Sequence, residues 1–269
     1  MSLTPDQQQL VEQLQLQLPH IITTLSGGAS TDEERALAVW CEQSNAAKRY
    51  LIDTRWELDA AAAKLKTTLQ WRKEYKPDRI DPASVEEEGR SGKGFVLDKT
   101  DKGGRPVLYI LLRNDSSTDA DRGLKFLVFL LEKTCKLMRD GIEKMAVIVD
   151  AQGVGFFNSP PLSVARGYLD ICNNHYPERL GTLTVVNGNM VLTAFYSLIS
   201  PFLDSVTKNK IRVFGKGSSK VKLHGGAADS EEVTGVLSLV DAENLPIQFG
   251  GHLDFTYDHE KYWKYIQTV

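Results

Sequence analysis

Hydrophobic and polar positions fall into two regimes along the chain. Up to about residue 80, apolar residues recur at helical spacing. Thr4-Pro5-Asp6-Gln7 supplies an N-cap threonine, a proline at N1 and a glutamine at N3, and Leu10, Val11, Leu14 and Leu18 then share one face until Gly27-Gly28. Thr31 to Glu34 is a second capping box, opening a helix through Trp40. Ser44 is placed to cap a third helix carrying Arg49, Tyr50, Leu51 and Ile52. The run from Trp56 to Pro77, rich in Ala, Leu and Lys, predicts a fourth. Residues 78–92 are acidic and turn-rich and read as a linker with one short helix, its Glu86–Glu88 run a solvated surface loop.

Beyond Gly94 the pattern alternates between strands and helices. Phe95-Val96-Leu97, Pro106 to Leu112, Met145 to Val149, Thr182 to Val186 and Ile211 to Phe214 read as strands, β-branched and apolar. Helices are predicted over 118–140, from Pro160-Pro161 to Asn174, over 190–202, and from Ser230 to Val240. This order predicts an α/β fold with a mostly parallel sheet and crossover helices. The aromatic tail, with Phe255, Tyr257, Tyr262, Trp263 and Tyr265, is expected to pack on the body. The expected organisation is a helical unit over 1–90, an α/β domain over 91–252 and the packed tail over 253–269.

Composition narrows the class. The chain has 269 residues, 42% hydrophobic and 25% charged, and a net charge of −3 gives no electrostatic case for nucleic acid. No apolar run has the length of a membrane span. The Gln-rich start lacks a basic segment, so a secretory signal is not expected. Cys41, Cys135 and Cys172 are widely spaced and read as reduced, buried thiols of a cytoplasmic protein.

Few motifs carry chemistry. Gly153-Val-Gly155 follows a strand but lacks the third glycine of a dinucleotide fingerprint, and Pro160-Pro161 delay the helix. His224-Gly225-Gly226 has no nucleophile elbow to serve. Cys172 and His175 read as a buried thiol and a surface imidazole. No set of nucleophile, base or metal ligands emerges, so an enzyme is not expected. What remains is the apolar helix over 190–202, flanked by Glu178, Thr207 and Lys210. Taken alone, these fit ordinary capping and surface charge, with Asp204 or Thr207 capping a turn.

Several segments taken together change that weighting. DKTDKGGRPVLYI, MAVIVDAQGVG, YPERLGTLTVVNGN, LISPFLDSVTKNKIRVFG and ENLPIQFGG, in this order, resemble the Sec14-like (CRAL-TRIO) lipid-binding family, and LQWRKEYKPD resembles its N-terminal subdomain. The pair YPERLG and SPFLDSVTKNKI is the specific part. The resemblance implies a helical N-terminal subdomain and a CRAL-TRIO domain whose apolar pocket is gated by the helix over 190–202. It implies non-enzymatic binding and exchange of phosphatidylinositol between membranes, with no cofactor beyond the bound lipid, transient contact with a membrane surface, and presentation of the lipid to a phosphoinositide kinase. Glu178, Thr207 and Lys210 match the family's headgroup contacts. Lys210 would oppose the phosphodiester, Thr207 would donate to it, and Glu178 would accept from inositol hydroxyls. The family's headgroup arginine is Thr54 here, with Arg55 one residue on, about 100° round a helix. The pocket is expected to include Leu97, Leu108, Ile110, Met145, Val147, Phe195, Leu198 and Phe202. Where phosphatidylcholine-binding members carry tyrosines and hydroxyls, this chain has Leu97, Leu108, Met145 and Val147, which predicts weak or no binding of that lipid. The Lys216–Lys222 loop is expected to add a modest attraction to anionic membrane. Two other readings stand beside this one: a carrier of a sterol, isoprenoid, retinoid or tocopherol-like molecule, and a regulatory scaffold with a degenerate pocket.

Overall fold

Helices dominate the first third of the chain. The computed structural model describes residues 3–26, 31–139, 141–155, 161–215 and 235–269, so the predicted helix start at Ser230 and the 216–222 loop lie outside them. The chain divides into two units, residues 1–79 with 171–178, and residues 80–170 with 179–269.

The first unit holds α1 (Pro5–Ser26), α2 (Thr31–Gln43), α3 (Ala46–Asp53) and α4 (Leu58–Tyr75). The first capping box forms as read: Thr4 Oγ1 accepts from the Gln7 amide at 3.2 Å, and the Thr4 amide donates to Gln7 Oε1 at 3.0 Å. Leu14, Tyr50, Leu51, Leu65 and Leu69 are fully buried in its core. Ser44 does not cap α3. Asn45 precedes the helix in a left-handed conformation without a side-chain cap, and Ser44 serves Arg49 instead. Its carbonyl and hydroxyl accept from the guanidinium at 2.8 and 3.2 Å. Arg49 is buried between the Trp40 and Tyr50 rings, and a buried charge needs acceptors more than a helix end needs a cap. Its remaining arm donates to the Pro177 carbonyl at 2.8 Å.

His175 also departs from expectation. It is half-buried, stacked on Trp71 with centroids 4.1 Å apart, and its Nδ1 lies 3.1 Å from Thr68 Oγ1. Burial, reinforced by Arg72 and Lys64, lowers the imidazole pKa from 6.5 to about 4. Between those values the unfolded chain binds a proton that the folded unit does not, so stability falls as pH drops through that window. His175→Gln is expected to flatten the urea midpoint against pH there, and an unchanged slope would contradict the assignment.

The second unit is built on a five-stranded sheet in the order β1-β2-β3-β4-β5: β1 (Gly94–Thr100), β2 (Pro106–Leu111), β3 (Met145–Asp150), β4 (Leu180–Gly188) and β5 (Ile211–Gly215). Only the β1–β2 pair is antiparallel. The register aligns Leu108, Val147, Leu183 and Ile211 in one row and Ile110, Val149, Val185 and Val213 in the next, two apolar rows on one face. On that face α6 (Ala120–Lys136) lies close over β1. A methyl group at Gly94 would come within 2.6 Å of Leu130 Cδ1, so glycine lets the leucine tip rest here without shifting.

The other face carries Phe95 and Tyr109, stacked 5.0 Å apart and covered by Phe249 and Phe255. The tail packs here through Tyr257 and through α10 (His259–Thr268), where Tyr262 and Trp263 are buried. Tyr262 accepts from the Val96 amide at 3.0 Å, capping an otherwise open donor of the edge strand β1. The predicted helix ending at Val240 is only a 3₁₀ turn over Gly235–Ser238 within the described residues.

The acidic run is not simply solvated. It forms α5 (Glu86–Arg90), and Glu88 is buried. Its carboxylate accepts from Lys93 Nζ, from Arg122 Nε at 2.8 Å and from the Ser117 hydroxyl at 2.9 Å. Of the three thiols expected to be buried, Cys41 is, while Cys135 and Cys172 are only partly so.

Candidate functional site

The site is organised by α8 (Met190–Ile199), which leaves β4 through a tight turn. Asn187 adopts φ 56° and donates to Asp150 Oδ1 at 2.7 Å. Asp150 is buried and also holds Arg113 at 2.9 Å and the Gln152 amide at 2.9 Å, so the aspartate of the VDAQG segment organises the carboxyl ends of the parallel strands. Asn189 then caps α8, accepting from the Leu192 amide at 3.0 Å while its own amide donates to the Val154 carbonyl at 2.8 Å.

Nearly every position of α8 is apolar, yet none of its residues is buried. Val191, Leu192, Phe195, Tyr196 and Ile199 are half-buried, and Leu192 packs against the buried cluster of Ala151, Val185 and Val213. Met190, Ala194, Ser197 and Leu198 form the opposite stripe, spaced four, three and one residues apart. Met190 is 87% exposed and Leu198 57%, and the apolar surface continues through Phe202 and Val206. A helix apolar all round ordinarily sits inside a protein or in lipid. On the sheet face that Leu192 meets, Ile110, Val147, Val149, Leu183 and Ile211 keep accessible surface, although four of these five lie on interior strands.

The other expected pocket residues are placed differently. Leu108 and Met145 are 1% and 2% exposed and closed in by packing. Leu97 lies one residue past Val96, where the β1 register shifts, and alternation puts it on the Phe95 side. A cavity of about 420 Å³ lined by Phe95, Leu111, Arg113, Ile247, Phe255 and Tyr257 lies on that same side, away from α8.

The polar positions surround short turns. α9 (Ser205–Asn209) is capped by Asp204, whose carboxylate accepts from the Thr207 amide at 2.9 Å and the Thr207 hydroxyl at 2.5 Å. Partial burial works against ionisation of Asp204, but these bonds and the nearby Lys210 charge hold its pKa below the ordinary value. Lys210 closes α9 one turn after Thr207, and its carbonyl accepts from the Leu183 amide at 2.9 Å. In the first unit, Glu178 is half-buried at φ 58°, directly after the Pro177 carbonyl that Arg49 holds. Thr54 ends α3 with its hydroxyl donating to the Tyr50 carbonyl at 2.9 Å, and Arg55 is exposed at φ 55°. Asp204 caps its turn as the sequence suggests, whereas Arg49, Asp150 and Asn189 escape a sequence reading because burial and capping, not motif, reveal them.

Comparison with known proteins agrees with this architecture. The family model described as the CRAL/TRIO domain matches residues 90–251. A CRAL-TRIO domain-containing protein of Schizosaccharomyces pombe is 29% identical over 265 residues, covering 97% of this chain and 24% of that protein. The phosphatidylinositol transfer protein PDR17 of Saccharomyces cerevisiae is 28% identical over 264 residues, covering 92% of this chain and 69% of that one. A SEC14 cytosolic factor of Eremothecium gossypii is 30% identical over 225 residues, covering 77% and 68%. This chain therefore spans about a quarter of the fission-yeast relative. A crystal structure of Sfh5 matches with a TM-score of 0.61 at 18% identity, over 100% of this chain and 98% of that one, and shares its fold.

Proposed function

We propose, from the premise that this chain belongs to the CRAL/TRIO domain family, that it binds one lipid molecule under α8 and exchanges it between membranes, with phosphatidylinositol as its principal ligand. The observation that carries this reading is α8 itself, an apolar helix that buries none of its residues above a half-accessible apolar sheet face. Acyl chains would fill that space, each buried CH₂ contributing about 0.8 kcal/mol. Ile110, Val147, Leu183, Leu192 and Phe195 are the walls in this reading. Leu198 and Phe202, already facing outward, are the membrane-contacting residues rather than walls. Among the described residues no helix is long and apolar enough to cross a membrane, which fits transient peripheral contact. The names of the relatives, a phosphatidylinositol transfer protein and a cytosolic factor, support both the ligand and a cytoplasmic setting.

Lys210 supplies the cation for the phosphodiester and Glu178 the acceptor for inositol hydroxyls. The Thr207 hydroxyl, which donates to Asp204, would turn from that carboxylate to the phosphate. Delivery of the lipid to a phosphoinositide kinase belongs to the same reading. The protein should arrive from purification carrying phosphatidylinositol and little phosphatidylcholine, because the sheet walls at Ile110, Val147 and Leu183 are aliphatic and leave Phe195 as the single aromatic wall, short of the aromatic cage and donors that a choline phosphate needs. Organic extraction followed by mass spectrometry tests this, and abundant phosphatidylcholine would refute it. A second reading, a carrier of a small neutral hydrophobic molecule, is favoured by one observation. The Thr54 hydroxyl is tied to backbone carbonyls and Arg55 is exposed in a left-handed turn, so neither stands in directly for the family's headgroup arginine. Recovery of a sterol or isoprenoid without phosphatidylinositol would establish it.

A further inference from the structure

The two ends of α8 are held by different means. At its start Asn189 and Leu192 fix it to the Val154 carbonyl and the sheet. Past its end, the 3₁₀ turn Ser200–Phe202 places the Phe202 ring against α7 (Leu162–His175), with the Arg166 guanidinium carbon 4.2 Å from the ring centroid. Arg166 is exposed and has no carboxylate partner among the described residues, and Phe202 keeps 43% of its surface accessible. A guanidinium over a ring at this distance is a cation–π contact, modest at an exposed site. The same guanidinium binds a phosphate more strongly, and in two-pronged geometry. Met190, Leu198, Phe202 and Val206, from the start of α8 into the turn that follows the 3₁₀ segment, are all large apolar residues left exposed, and a bilayer that takes up Phe202 brings phosphates to Arg166, which lies over its ring.

We propose that Arg166 and Phe202 form a latch at the C-terminal end of α8, just before the buried Leu203, that anionic lipid headgroups release. In solution the cation holds the ring and keeps the helix down. At an anionic surface the guanidinium leaves the ring for a phosphate, and Phe202 is freed to enter the bilayer together with Leu198. Release is thereby coupled to the presence of an acceptor membrane. This rests on the reading, proposed above, that the exchanged lipid lies under α8, which must then lift to release it, and adds the contact that governs that movement.

Hydrogen exchange of the α8 amides, read by mass spectrometry on the full chain, tests the latch without reference to any ligand. Without vesicles, Arg166→Gln and Phe202→Leu should each speed exchange over 190–199 about two- to five-fold. The double variant should do no more than either single one, and exchange in β3 should stay unchanged as a control for folding. Phosphatidylcholine vesicles containing phosphatidylserine should speed α8 exchange in the wild type more than phosphatidylcholine vesicles alone, and Arg166→Gln should lose that difference. Wild-type α8 exchange in Arg166→Gln, or an undiminished response to phosphatidylserine, would overturn the latch. Phosphatidylinositol transfer is measured in the same samples. The expected exchange pattern with no transfer by the wild type would remove the proposed ligand and leave the latch standing.

Discussion

Lys210→Ala is expected to reduce phosphatidylinositol exchange between vesicles at least about ten-fold. The phosphodiester is the only fixed charge on that lipid, and a charge-assisted hydrogen bond in a partly desolvated site contributes about 1.5–3 kcal/mol. One decade corresponds to about 1.4 kcal/mol. Glu178 requires a different substitution. Its φ of 58° is a left-handed backbone, where alanine would add strain to the loss of the carboxylate. Asparagine tolerates that region and isolates the chemistry. Glu178→Asn should lower exchange by a similar factor, and both variants should keep the wild-type unfolding free energy in urea to within about 1 kcal/mol, since neither side chain is a core element. The comparison that decides is with a neutral hydrophobic ligand such as a sterol. If the headgroup assignment holds, these variants lose phosphatidylinositol exchange while any sterol uptake is untouched. Undiminished exchange in both variants would place the headgroup elsewhere.

The legible part of this chain was the part set by local rules. Each of the five strands announced itself as a β-branched run bounded by turn residues, and alternation with helices was enough to predict a mostly parallel sheet. The Thr4 capping box formed as read because it needs only four consecutive residues. The positions that misled are those whose role depends on distant partners. Glu88 and His175 look like surface residues in sequence because their neighbours are polar. In the fold, Glu88 meets Lys93, Ser117 and Arg122, and His175 meets Trp71 and Thr68. Ser44 had the chemistry of a cap, but a buried arginine five residues on claimed it. The apolar character of α8 was plain from sequence. That it would lie largely uncovered was not, because periodicity reports which residues avoid water and not whether the fold succeeds in hiding them.

Glu88→Ala is expected to cost about 3–5 kcal/mol of stability, the loss incurred when one member of a buried, hydrogen-bonded ion cluster is removed and its partners remain. Glu88 and Lys93 are 4% and 8% exposed, and Lys93 is shared with Asp115 at 2.8 Å. After the substitution, Lys93 would keep Asp115 but lose its most enclosed partner, and the Ser117 hydroxyl would lose its acceptor on that carboxylate. Two further observables separate this from a simple packing defect. Burial opposes ionisation of Glu88, but bonds from Lys93, Arg122 and Ser117 outweigh it and lower its pKa from 4.5. Its contribution is therefore complete above the unfolded-state value and is lost as pH falls through 4.5 toward the depressed folded value. Glu88→Ala should lack that portion of the acid slope. In a double-mutant cycle with Lys93→Met, the combined loss should be smaller than the sum of the single losses by about 1 kcal/mol or more, because the second substitution removes the charge that the first one stranded. Additive losses, with the acid slope intact, would mean that Glu88 is solvated after all and that α5 is held by Trp263 and Tyr257 packed against Gly89 and Gly92 rather than by charge.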